Sequence, residues 1–367
     1  MGTHTFFQFL AEQWTRLPPP LQSDLANKVV MITGANTGIG LEAAKTFASQ
    51  HPKKLIVACR SEEKGKATAA EIEQATGYRN IELAIFDQGD FGSIIKYAES
   101  VKDEPLDILV ANAGLAVGKY EQTGDGWETT VQVNHLATAL LSLLLLPNLI
   151  RTGQANGTTS RLSIVSSDTH FWVKLEEELL DAPSLLQMLN DKGYCTDAVM
   201  MQRYPVSKRT YPSSSYALVE SYILTCVLAP VLNVLFSHAL SEHLPTSLPI
   251  IVNTVNPGYC YSQLRRSAVS LMSFAIRFWV MDLVLGRTAE QGARQLVWAA
   301  LGPDGKEGPH TSWMRGAYIS TQGIKEPSDF VISQDGGRAQ EKIYEETLQI
   351  LSKLSPDVRT SIEQYLA

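Results

Sequence analysis

The eight residues TGANTGIG, Thr33 to Gly40, follow a β-branched apolar run, KVVMIT, and lead into GLEAAKTFASQ, where apolar residues recur at helical spacing. A strand, a glycine-rich turn and a helix in that order open a βαβ unit. The alternation then continues. KLIVACR reads as a second strand and SEEKGKATAAEIEQATG as a second helix, closed by Gly77. IELAIFD, LDILVANAG, RLSIVSS and PIIVNTVNPG read as a third to a sixth strand. Strands joined through helices return to the same edge and pair in parallel, so the chain is expected to be α/β: a parallel sheet with helices on both faces.

The glycine turn also carries chemistry. Gly34, Gly38 and Gly40, with Ile39 between the last two, let the backbone turn tightly and approach a pyrophosphate closely. The helix beyond offers free N–H groups and the positive end of its dipole, which suits a dinucleotide. The second strand bears on which one. It ends in Cys59-Arg60, followed by Lys64, where an acidic residue would face the ribose hydroxyls of NAD. A guanidinium matches a 2′-phosphate in charge and in forked geometry, so NADP (NADPH) is favoured over NAD.

Composition narrows the remaining classes. Of 367 residues, 44% are hydrophobic and 19% charged, which allows one large domain with additions, and the formal net charge of −7 argues against nucleic-acid binding. The four cysteines, Cys59, Cys195, Cys226 and Cys260, form no CxxC pair, so neither a zinc site nor a disulfide framework is expected, and a reducing, cytoplasmic setting is the default. The N-terminal FFQFLAEQW is too short and interrupted for a signal or spanning segment. It reads as an amphipathic helix that docks on the body, with contact to a membrane surface as the alternative. Tyr216 to Phe236 approaches spanning length but contains Glu220, Pro230 and Asn233, and reads as core.

Tyr204 and Lys208 are four residues apart, a spacing that puts both side chains on one helix face. A phenol titrates near pH 10, too high for ready proton exchange at neutral pH; an ammonium one turn away lowers it. With these residues in place, the sequence resembles the classical short-chain dehydrogenases/reductases over about residues 28–328, in the retinol-dehydrogenase and WW-domain-oxidoreductase-like branch with its fungal reductases. TGANTGIG is similar to the family's TGxxxGxG. Asn112 to Gly114 is similar to its NAG, Asp87 to the acidic residue contacting adenine, and Asn134 in VQVNHL to the active-site asparagine. Ser167 in IVSSD is similar to the catalytic serine, with Ser166 as competitor. Tyr204 and Lys208 are similar to YxxxK, and Pro257-Gly258 with Ser262 to the PGxxxT turn near the nicotinamide. The resemblance implies a single Rossmann-type doubly wound sheet and NADP(H)-dependent reduction of a carbonyl or oxidation of an alcohol. Tyr204 would be the proton donor, Lys208 would hold the nicotinamide ribose, Ser167 would polarise the substrate oxygen and Asn134 would hold a relay water. A homodimer or homotetramer is also implied.

The sequence departs from that pattern just after Lys208. RTYPSSSYALVESYILTCVLAP intervenes before VLNVLFSHALSEHL, the expected continuation, so residues 209–230 read as an insertion into a domain spanning 28–328. It can be a genuine loop with a short helix, a translated intron, which the clean edges favour, or a rebuilt helix. Residues 1–27 read as an extension and 329–367 as a tail whose amphipathic helix, EKIYEETLQILSKL, packs outside. The apolar stretches FWVKLEEELLDAPSLLQMLN and SAVSLMSFAIRFWVMDLVLG point to a lipophilic substrate, such as a polyketide-like, terpenoid, steroid or retinoid compound of secondary metabolism. The rival reading is a cofactor-binding scaffold whose catalysis the insertion has impaired.

Overall fold

The computed structural model describes residues 6–117, 119–173, 175–195, 225–261, 282–303 and 309–366. One eight-stranded sheet organises them, in the order β3-β2-β1-β4-β5-β6-β7-β8. Its strands are β1 (Val29–Thr33), β2 (Lys54–Cys59), β3 (Ile81–Ile85), β4 (Ile108–Ala111), β5 (Ser160–Val165), β6 (Ile250–Val255), β7 (Tyr318–Ser320) and β8 (Gly323–Lys325). All neighbours pair in parallel except β7 and β8, which form a short hairpin at the edge. The six strands expected from the sequence are present in the expected places; the closing hairpin is an addition. Its turn residues Thr321 and Gln322 both have positive φ, and with three residues per strand it carries too little alternation to announce itself.

The principal helices are α1 (Phe6–Trp14), α2 (Gly38–Ala48), α3 (Glu62–Thr76), α4 (Phe91–Ser100), α5 (Thr129–Asn156), α6 (Glu177–Asp181), α7 (Leu185–Asn190), α8 (Thr225–His243), α9 (Ala289–Leu301), α10 (Gln334–Leu354) and α11 (Pro356–Tyr365). Two apolar cores result. One includes Phe47, Val57, Leu296 and Ile319, with α2 and α9 on that face; the other includes Leu109, Leu140, Leu235 and Ile343, with α5, α8 and α10. Each fully buried leucine contributes about 2 kcal/mol. This two-sided burial is why β1 and β4 are apolar at successive positions instead of alternating, and why β6 is buried along its whole length.

Local signals fix the helix ends. Ser61 Oγ accepts from Lys64 N at the start of α3, and Gly77 closes that helix with φ +75. Thr288 and Gln291 form a reciprocal capping box on α9. Among the described residues, α5 alone is long and apolar enough to cross a membrane, but 89% of its apolar window is buried inside the protein, as befits a central core helix. The C-terminal part does more than cover the outside. Ile343, Thr347 and Leu351 of α10 are buried, and Glu346 accepts hydrogen bonds from Ser184 Oγ, Leu185 N and Leu186 N at the start of α7. A second helix, α11, follows it. The last six residues of the expected insertion, Thr225 to Pro230, belong to α8, which runs on through Pro230 into VLNVLFSHAL; residues 209–224 lie outside the described part.

Candidate active site

The sheet order places β1 beside β4, where successive crossovers turn to opposite sides. The glycine turn after β1 and the Asn112–Gly114 segment after β4 meet at that switch point, where open α/β sheets form their ligand crevice. Their fit is close. Gly34 has φ +64, and a Cβ there would lie 2.8 Å from Ala113 Cα; a Cβ on Gly40 would lie 2.4 Å from Gly34 O and 2.6 Å from Asn112 Nδ2. Only hydrogen fits at either position. Gly38, with φ +58, opens α2, and the Thr37 side chain makes no cap hydrogen bond. The first N–H groups of α2 thus lack a side-chain acceptor, and their dipole end points out of the turn. These features suit a pyrophosphate.

Asn112 braces this cradle from beneath. Its Nδ2 donates to Thr33 O at 2.9 Å, while Thr33 Oγ1 accepts from Asn112 N and Ala113 N, both at 2.9 Å. Its amide nitrogen is thus committed to the turn's own backbone. Ile39 lies in the first turn of α2 with its side chain against Gly292 of α9, where a Cβ would lie 3.2 Å from Ile39 Cγ1. Arg60, at the carboxyl end of β2, is exposed, with Nε 3.8 Å from Asp87 Oδ2; Asp87 Oδ1 accepts from Gly89 N. Lys64 is exposed in the first turn of α3. Arg60, Lys64 and Asp87 therefore gather at the carboxyl ends of β2 and β3, beside the cradle.

Asn134 sits in a π-helical turn of α5, Gln132–Leu136, where Ala137 N donates to Gln132 O. The widened turn displaces the ladder there, as such turns often do at functional sites. Asn134 Oδ1 accepts from Leu115 N and its Nδ2 donates to Leu115 O, both at 2.8 Å. Its carbonyl accepts from Asn233 Nδ2 of α8 at 3.0 Å; the same nitrogen lies 3.3 Å from Val165 O, at the end of β5. Asn233 Oδ1 faces His135 Nδ1 at 3.1 Å, and His135 Nε2 faces Thr347 Oγ1 at 3.0 Å. Because Asn233 already uses its amide nitrogen, its oxygen must accept, so Nδ1 of His135 carries the proton and Nε2 accepts from Thr347. Complete burial pushes His135 down to about 4, against a smaller opposing effect of the Asn233 hydrogen bond.

The two serines at the end of β5 diverge. Ser166 is buried, and its Oγ donates to Pro230 O at 3.0 Å. Ser167 is partly exposed; its Oγ donates to Asp168 Oδ1 at 3.1 Å and accepts from Thr169 N at 3.2 Å, opening a 3-10 turn, Asp168–Trp172. His170 Nε2 accepts from Ser328 N, which leaves its Nδ1 to donate to Ser167 O at 2.7 Å. Pro257 and Gly258 follow β6, with Gly258 at φ +81. Tyr204, Lys208 and Ser262 lie outside the described residues. The structure thus brings Gly34, Gly38, Gly40, Asn112, Asn134, Ser167 and Pro257-Gly258 to the carboxyl edge of the sheet. Sequence reasoning did not find Asn233, His135, Asp168 or His170 as parts of this edge. Asn134-His135 adjacency was the one signal available for His135; the rest depend on contacts made across the fold.

Comparison with known proteins agrees with this geometry. A family model described as short chain dehydrogenase matches residues 28–168. The short chain dehydrogenase/reductase dmxR8 of a Cryptosporiopsis species is 30% identical over 358 residues, 96% of this chain and 99% of that protein. The short-chain dehydrogenase anuD of Penicillium roqueforti is 32% identical, over 95% of this chain and 84% of that one. Among solved structures, an actinorhodin polyketide ketoreductase with NADPH shares the fold at a TM-score of 0.52 and 18% identity, covering 81% of this chain and 97% of that one.

Proposed function

This chain belongs to the short-chain dehydrogenase/reductase family, an NAD(P)-dependent oxidoreductase acting on CH–OH groups, and from that premise we propose that it reduces a lipophilic ketone or aldehyde with NADPH. The observation that carries the reading is the connection from the glycine cradle to Asn112, along the backbone to Leu115, and by hydrogen bonds to Asn134 and through Asn233 to the end of β5. It gives one rigid edge on which a dinucleotide and a substrate oxygen can be held together. Gly34, Gly38, Ile39 and Gly40 would take the pyrophosphate, Arg60 and Lys64 the 2′-phosphate and Asp87 the adenine. Pro257 and Gly258 would line the nicotinamide side. The cofactor supplies or accepts the hydride.

The chain's own residues manage orientation and the proton. Ser167 Oγ would donate to the substrate oxygen and polarise it; Asp168 Oδ1 would then lose the hydrogen bond it accepts from that hydroxyl. Tyr204 would transfer its phenolic proton to that oxygen as the C–H bond forms. Lys208 would stabilise the phenolate by charge and hold the nicotinamide ribose hydroxyls. Asn134 contributes through its backbone carbonyl, since its side chain is committed to Leu115. That carbonyl accepts from Asn233 and would also accept from the relay water that serves Lys208.

The polyketide ketoreductase among the structural neighbours, together with the apolar stretches before Tyr204 and after Gly258, supports a polyketide-like or similarly lipophilic substrate. The test incubates purified protein with NADPH and a panel of lipophilic ketones and aldehydes while following absorbance of the reduced cofactor. Turnover that disappears in Tyr204→Phe, with NADPH binding retained, supports the reading. NADPH binding without turnover of any carbonyl refutes it in favour of a cofactor-binding scaffold.

A further inference from the structure

We infer that Gln13, in the N-terminal helix, is a positioning residue that holds the Pro257–Tyr259 turn in place for the nicotinamide half of the cofactor. The inference rests on the proposed role of that turn. Gln13 lies 246 positions from Tyr259 in sequence and is only 6% exposed. Its amide behaves as an extra stretch of backbone against the turn. Nε2 donates to Tyr259 O and to Leu285 O, both at 2.9 Å, and Oε1 accepts from Tyr259 N at 3.1 Å. One side chain thereby satisfies both peptide groups of Tyr259 and ties them to the segment before Arg287.

Several contacts make the clamp stiff. Arg287 N donates to Tyr259 O and Tyr261 N donates to Arg287 O, so the two segments run side by side. The Arg287 guanidinium, itself buried, donates through Nη1 to Pro257 O and through Nη2 to Glu12 O, one residue from Gln13. Gly258, with φ +81, has no room to spare: a Cβ there would lie 2.5 Å from Arg287 Nη1 and 2.8 Å from Gln13 Oε1. Trp14 Nε1 donates to Val284 O, and Phe9 meets Trp172, beyond Ser167, edge to face at 5.3 Å. The helix α1 therefore touches three segments: the turn after β6, residues 284–285 and the 3-10 turn that Ser167 opens. A merely docked extension would not need a buried amide making three hydrogen bonds to main-chain groups on one side of the site. Losing them takes the acceptor from Tyr259 N and a donor from Leu285 O, leaves Tyr259 O held by Arg287 N alone, and frees the turn to shift.

The test uses Gln13→Met, which keeps the side-chain volume and removes the hydrogen bonds, in the full-length chain. Two ligands are titrated by fluorescence and calorimetry: NADPH, and 2′-phospho-ADP-ribose, which has the adenine half but no nicotinamide. NADH and ADP-ribose replace them if the wild type prefers NADH. The expected result is NADPH binding weakened about tenfold, the factor for one or two lost buried hydrogen bonds, with the nicotinamide-free ligand unchanged within roughly twofold. Ile343→Val, in the core formed by α10, serves as a control that lowers thermal stability without touching the turn; both affinities should stay at wild-type values. The inference is overturned if Gln13→Met weakens both ligands equally or neither, or if the control weakens NADPH selectively as well. A wild type that binds no dinucleotide at all removes the cofactor reading itself, and that failure is visible before any variant is made.

Discussion

Acidification from about pH 7 to about pH 5 should remove about 2 kcal/mol of stability through His135 alone. The imidazole is completely buried between Asn233 and Thr347, and desolvation holds it down to about 4 against 6.5 for an ordinary histidine. The native ring stays neutral in this range while the unfolded chain binds the proton, so stability is complete above 6.5 and is lost as pH falls toward 4. Across the whole window the loss is about 3 kcal/mol, and the stretch down to about pH 5 accounts for about 2 kcal/mol of it. The assay is urea unfolding of wild type and His135→Gln at both pH values, followed by tryptophan fluorescence and circular dichroism. Gln has a donor and an acceptor but does not titrate. The variant should start less stable at neutral pH and then lose about 2 kcal/mol less on acidification, since all other titrating groups are common to both proteins. Equal losses in the two proteins would refute the argument. Because His135 orders the Asn233 amide that holds the Asn134 carbonyl, the same pH interval should also loosen the site.

Three further outcomes probe the site. Gly40→Ala places a Cβ 2.4 Å from Gly34 O, so backbone must move at a cost of about 1–3 kcal/mol; NADPH affinity by calorimetry should fall about tenfold or more, and wild-type affinity would show that the cradle is not the binding site. Arg60→Ser should weaken NADPH by about tenfold or more while leaving NADH nearly unchanged, as loss of a charge-assisted contact to the 2′-phosphate requires; equal effects on both cofactors would sink the NADP preference. Ser167→Ala should lower kcat on the order of a hundredfold, whereas Ser166→Ala should cost about 1 kcal/mol of stability through the lost Pro230 contact and spare kcat. The opposite pattern would transfer the catalytic role to Ser166.

Much of the architecture was legible because it is written in local terms. Apolar β-branched runs, helical spacing, Gly77 as a helix stop and the Gly34–Gly40 turn each state a preference that neighbouring residues enforce. The placement of Asn112 at the switch point follows from the same alternation. The work of its side chain is a different matter: Nδ2 donates to Thr33 O and braces the turn, a contact that forms only when β1 and β4 pair. Ser167 was favoured over Ser166 in sequence by resemblance alone, and only the fold shows that Ser166 is buried with its hydroxyl on Pro230 of α8 while Ser167 is partly exposed.

By itself, then, the sequence determined six of the eight strands, their parallel sense and the glycine turn, because each depends on residues close together along the chain, and the order of its motifs identified the family. The tertiary structure alone decided that Thr347 and Asn233 fix the tautomer of His135, that Asn233 claims the Asn134 carbonyl, that α10 enters the core and that Gln13 reaches the turn after β6. Those contacts join residues many positions apart, and side-chain type gives no hint of a partner that the chain must first fold to bring near.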